Sequence, residues 1–215
     1  MDVFFLQWLA LLSVFALGLI SPGPDFVIAV KNSVLHSRRT GVFTALGFAL
    51  GVLVHVSYSI LGIAALISQS ILLFSVIKYI GAAYLIYLGV KSLRSKGLQK
   101  GEVSKCIKNA EHEGSSLSTM SAIRSGFFTN LLNPKATLFF LAIFTQIISP
   151  ETPVLWKAIY GASCSVMTAI WFSIVAYVLT HRSIRHSFLA ASQWIDRICG
   201  VFLIAFGLKV ALSSQ

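Results

Sequence analysis

The chain has 215 residues, 56% of them hydrophobic and only 11% charged, with a mean hydropathy of +0.83. Soluble domains carry about 25% charged residues, so this composition excludes a sizeable soluble domain and points into a lipid bilayer. The formal net charge of +10 would suit a nucleic-acid partner, but the basic residues sit in alternate segments between apolar runs, so the expected charged surface is a membrane surface and no nucleic acid.

Apolar runs near 20 residues can each cross about 30 Å of hydrocarbon. They recur at 4–30, 42–67, 71–90, 122–148, 154–180 and 195–212, which predicts an all-α membrane protein with six transmembrane helices. Asp2 stands where a secretory leader would carry basic residues, and no small-x-small cleavage site follows, so the first run is expected to remain as a span.

That first run is interrupted by Ser21-Pro22-Gly23-Pro24-Asp25. Proline removes a backbone N–H and clashes with the carbonyl four residues back. The polar groups it frees are costly in lipid, so the break is expected to face protein or a wet cavity. Asp2 is terminal, Glu102, Glu111 and Glu113 fall in a polar stretch, Glu151 lies between runs, and Asp196 sits beside Arg197 at the inner end of the last run. Asp25 alone follows a break inside a hydrophobic run. A carboxylate at membrane depth costs at least ~2.5–3.5 kcal/mol on insertion scales. Asp25 is therefore expected at a cavity or a partner, where it binds a substrate ammonium, carries a proton, or does both. A helix N-cap before Phe26 is the purely structural alternative.

The second run carries Gly47-Phe48-Ala49-Leu50-Gly51, a small-xxx-small pattern that lets helices approach closely. It suits packing within the protomer or between protomers, and so leaves a homo-oligomer open. His55, in the same run, titrates near neutral pH and reads either as a hydrogen bonder between helices or as a proton relay. After the third run comes a polar stretch, 94–119, rich in Lys, Glu, Ser and Gly. It reads as a mobile cytoplasmic linker between a first half, 1–93, and a second, 120–215.

The fourth run is broken in its turn at Asn133-Pro134-Lys135. Lys135 needs a carboxylate, a substrate anion or exposed carbonyls, those freed by Pro134 among them. Asn130 and Asn133 can both donate and accept, and Asn133 is placed to cap the helix that continues. Such a helix start offers free N–H groups to an anion. Paired breaks about half a chain apart are the best sequence pointer to a transporter's substrate site, and they name Ser21, Pro22, Gly23, Pro24, Asp25, His55, Asn130, Asn133, Pro134 and Lys135 as its candidate residues. The end of the sixth run, Ile198–Lys209, repeats the order Gly, aromatic, Leu-Ile, aromatic, Gly, x, Lys found in Tyr79–Lys91. With three spans on each side of the linker, the second half enters from the opposite face, as two inverted three-helix repeats require.

Basic residues fill alternate connections: His36, Arg38 and Arg39; then Lys91 to Lys108 with Arg124; then Arg182, Arg185 and Arg197. By the positive-inside rule these are cytoplasmic and both termini lie outside. No H-E-x-x-H, P-loop or G-x-S-x-G motif is present. Cys106, Cys164 and Cys199 are too scattered for a metal site. The chain therefore reads as no enzyme, with no cofactor and no metal.

Ser21-Pro22-Gly23-Pro24-Asp25-Phe26, Arg39-x-Gly41, Gly47-x3-Gly51, Gly81 through Gly89 and Asn133-Pro134-Lys135-Ala136 together resemble the lysine-exporter (LysE/RhtB) superfamily. Trp194-Ile195-Asp196-Arg197 through Gly207 is similar to the last span of its threonine and homoserine branch. The resemblance covers nearly the whole chain outside the linker. It implies a bacterial inner-membrane exporter of small amino acids driven by the proton-motive force, with protons as the second partner, and does not fix the substrate.

Overall fold

The computed structural model describes residues 3–69, 71–97, 117–148 and 151–212. These residues form eight helices and no strand: α1 (Val3–Ile20), α2 (Pro24–Leu35), α3 (Arg38–Gln69), α4 (Ile71–Leu93), α5 (Thr119–Leu131), α6 (Pro134–Ile147), α7 (Val154–Val178) and α8 (Arg182–Leu212). Val3–Ile20, Arg38–Gly62, Ser75–Leu93 and Val154–Val178 are each long and apolar enough to cross a membrane. The pair α5–α6, bent by 59°, makes a fifth span if counted as one broken helix. α8 has the length, but Asp196, Arg197 and Lys209 fall in its apolar half.

Both breaks lie where proline chemistry places them. α1 stops at Ile20, and α2 restarts with Pro24 at its first position, where the missing N–H would have had no partner and the fixed φ suits a helix. The N-cap is Gly23, with extended backbone and no side-chain cap bond. Asp25 is thus inside the first turn, which removes the N-cap account of it. α5 stops at Leu131 and α6 restarts at Pro134, capped by Asn133, whose side chain accepts from the Lys135 N–H at 3.0 Å.

The two halves are packed into one another. α3 lies parallel to α5, and a methyl on Gly47 or on Gly126 would run into backbone of the facing helix. The Gly47-x3-Gly51 motif therefore works within the protomer. α4 and α8 cross antiparallel with Gly89 against Gly200 and Gly207 against Ala82 and Ile86, so the two similar segments of the sequence pack on each other. α3 and α7 are also antiparallel: Ser165 Oγ donates to the Ala49 carbonyl at 2.9 Å, and Phe48 meets Phe172 at 4.7 Å between centroids.

Two buried apolar clusters flank the breaks. One gathers Leu11, Phe15, Val52, Phe140, Phe144 and Tyr160; the other gathers Phe26, Val30, Phe48, Phe172 and Val175. Large apolar side chains such as Leu61, Leu72, Ile80, Val166 and Phe202 lie exposed on the outside of the bundle, as a lipid-facing surface requires. The first residues of the predicted linker are held against α8. Gly97 has φ +70 and sits so close to Ser192 and Gln193 that a side chain there would collide. Residues 98–116, the rest of that stretch up to its last few positions, lie outside the described residues.

Candidate functional site: two helix breaks that hold each other

Each break supplies the polar partner that the other one lacks. From the first break, the Asp25 carboxylate reaches across to the second. Asn130 Nδ2 donates to its Oδ2 at 2.7 Å and Asn133 Nδ2 donates to its Oδ1 at 3.2 Å. From the second break, Lys135 Nζ donates to the Ser21 carbonyl at 3.0 Å and to Ser21 Oγ at 3.3 Å. The Ser21 carbonyl belongs to the C-terminal end of α1, where the helix dipole favours a cation. Lys135 thus serves a carbonyl freed by the first break, not those freed by Pro134. Asp25 sits at the N-terminal, positive end of α2, which favours its charge by the same physics.

The carbonyl that Pro134 abandons is Asn130's, four residues back. His55 takes that place. Its Nε2 lies 3.0 Å from the Asn130 oxygen, and since a carbonyl only accepts, Nε2 carries the hydrogen. Nδ1 lies 2.6 Å from the Tyr58 hydroxyl, and the ring stacks on Phe140 at 5.6 Å. The Asn130 carbonyl, which also accepts from the Asn133 N–H at 3.0 Å, is thereby held while its side chain points at Asp25. Gly51 clears the room for that side chain, because a methyl there would press on Asn130 Oδ1. That Oδ1 is buried and has no hydrogen-bond partner among the described residues.

Every sequence-named residue therefore belongs to one assembly: Ser21, Asp25, His55, Asn130, Asn133 and Lys135 by direct hydrogen bonds, and Pro22, Gly23, Pro24 and Pro134 as the backbone that makes the breaks. Asp196 of α8 is the addition. It is 5% exposed and accepts from Ser21 Oγ at 2.9 Å and from Ser95 Oγ at 2.6 Å. The sequence sets it beside Arg197 at the inner end of the last run, but helix neighbours do not face each other. Arg197 turns away to lie over the Trp194 ring at 5.3 Å, leaving the carboxylate directed inward. Its place within the sixth apolar run was the available signal.

Two cavities meet at this assembly. A small one, about 60 Å³, is lined by Asp25, Asn130 and Lys135 with Phe15, Phe139 and Phe172. A larger one, about 450 Å³, reaches from Pro22 and Pro134 to Lys91 and Ser95 at the end of α4. Ser21, Gly23, Asn133 and Lys135 line both and so form the partition between them. No group of His, Cys, Asp and Glu suited to hold a metal occurs among the described residues.

The family model of the LysE type translocators matches residues 16–214, which takes in both breaks and every polar residue named above. This chain belongs to the LysE type translocator family. The uncharacterised membrane protein YrhP of Bacillus subtilis is 31% identical over 207 residues, covering 95% of this chain and 98% of its own. The threonine efflux protein of Escherichia coli K12 is 29% identical over 206 residues, 96% of this chain and 98% of its own. Uncharacterised YahN of the same organism is 27% identical over 197 residues, 91% and 85% of the two chains. No solved structure matches. What the geometry adds to translocator membership is a partly buried carboxylate and a partly buried ammonium, each hydrogen-bonded to neutral groups of the opposite break, beside space that a solute or water can enter.

Proposed function

We propose that this protein is a secondary active exporter of small amino acids across a bacterial inner membrane, exchanging substrate for protons at the paired breaks. The observation that carries this is the Asp25 carboxylate, held by two neutral amides of the opposite break. Such a carboxylate can give up its Asn donors to a proton or to a substrate ammonium, and these compete for one group, which is the logic of antiport. Lys135 and the start of α6 offer the complementary charge to the substrate carboxylate.

Six spans arranged as two inverted three-helix repeats, with both termini outside, frame this mechanism. Antiparallel contacts of α3 with α7 and of α4 with α8, and the reciprocal bonding of the breaks, support that arrangement. Alternating access then comes from rocking one half against the other about the fixed breaks. The threonine efflux proteins among the relatives make threonine the first substrate to try, with homoserine beside it.

The test is flux in proteoliposomes with and without an imposed pH gradient. Accumulation of threonine or homoserine against its own gradient, driven by protons, is the expected result. Equilibration without accumulation would identify a passive channel instead, and a competitor panel would name the substrate class.

A further inference from the structure

We propose that the cavity of about 450 Å³ is the vestibule that receives the amino acid before it meets Asp25, and that the Asp196 carboxylate takes its ammonium there. This rests on the exporter reading above. The volume falls within the roughly 300–1,000 Å³ of small-molecule sites. The space beside Asp25, about 60 Å³, admits a few waters and no amino acid.

The vestibule wall carries both signs of charge, as a zwitterion needs. Asp196 supplies the carboxylate, Lys91 and Lys135 supply ammonium groups, and Tyr84 and Tyr87 add rings that are apolar with a polar tip. Asp196 holds one serine hydroxyl on each oxygen, and a carboxylate offers about four acceptor positions. An incoming ammonium can therefore be added without breaking either bond. Ser21 links the vestibule to the partition, since its hydroxyl donates to Asp196 while its carbonyl holds Lys135. A second cation at Asp196 repels the Lys135 ammonium and favours its release from Ser21 toward Asp25, which opens the partition. The vestibule extends to Lys91 and Ser95, the end of α4 placed on the cytoplasmic side by the proposed topology, and that is the side on which an exporter must load.

The experiment measures binding of tritiated L-threonine and L-homoserine to the purified full-length protein, with lysine and leucine as further probes. Asp196→Asn should weaken binding roughly 10- to 100-fold, the range expected for loss of a charge-assisted hydrogen bond. N-acetyl-L-threonine, which lacks the ammonium, should not compete. In a background with the native cysteines replaced, Ser92→Cys on the vestibule wall should react with a methanethiosulfonate more slowly when threonine or homoserine is present. Wild-type affinity in Asp196→Asn, or labelling of position 92 that neither amino acid slows, overturns the vestibule while leaving the exporter reading standing. If Asp196→Asn does not fold, the protection at position 92 decides alone. Failure of the wild-type protein to bind any of the four amino acids overturns the exporter reading and the vestibule with it.

Discussion

Asp25 and His55 are the two side chains whose roles the bonding pattern separates. Among the described residues, the Asp25 carboxylate accepts its side-chain hydrogen bonds from the neutral amides Asn130 and Asn133 of the opposite break, so its charge is available to a mobile cation. Asp25→Asn keeps the size of the side chain and removes the charge. It should abolish proton-driven uphill efflux at normal membrane abundance, measured as accumulation in proteoliposomes. Surviving substrate–substrate exchange in that variant would assign Asp25 to the proton alone, and uphill transport at the wild-type rate would remove it from coupling altogether. His55, in contrast, supplies a donor that Pro134 cannot. His55→Phe keeps the stack on Phe140 but leaves the Asn130 carbonyl with only the Asn133 N–H of its own break as donor. It should cost about 0.5–1.5 kcal/mol of stability, read as a lower unfolding temperature in detergent, and His55→Gln should recover part of it. Unchanged unfolding in His55→Phe would rule out the capping role.

At the scale of elements, close helix contact explains where glycine is required. Gly126 faces the Thr44 carbonyl across the α3–α5 contact, and a larger residue must push apart the two helices that carry His55 and Asn130. Gly126→Leu should destabilise by about 1–3 kcal/mol or more and lower the amount of folded protein recovered in detergent. Gly62, also in α3, meets no described atom within 4 Å of where a Cβ would be. Gly62→Ala should be neutral or stabilising by up to about 1 kcal/mol. Equal behaviour of the two variants would show that the α3–α5 contact does not set the fold. The breaks follow the same logic in reverse, since proline forces each gap and the opposite half must then satisfy the exposed carbonyls.

For the whole molecule, the alternation of basic connections gives a directional prediction. With native cysteines replaced, Val154→Cys at the start of α7, 81% exposed, should label from outside intact cells with a membrane-impermeant maleimide. Ser183→Cys at the start of α8 should label only after permeabilisation. The opposite pattern would invert the topology and turn the vestibule to the outer face. The packing of α4 on α8 and of α3 on α7 ties the halves into one bundle, so the rocking proposed above would have to pass through glycine-lined contacts such as Gly89 on Gly200.

The sequence by itself determined the helical class, the membrane setting, the position of both breaks and the residues around them, because proline, charge and apolar length act locally and within one segment. It also carried the family, since the motifs are short and contiguous. Only the tertiary structure decided who holds whom. That Lys135 serves Ser21 instead of its own break, that the Asp25 carboxylate meets the asparagines of the other break, and that His55 stands in for the N–H missing from Pro134 are all contacts between segments 75 to 114 residues apart. The tertiary structure also brought Asp196 into the site, because the direction of a side chain around a helix, and what the opposite half places in front of it, is set by packing and not by the neighbour next in sequence.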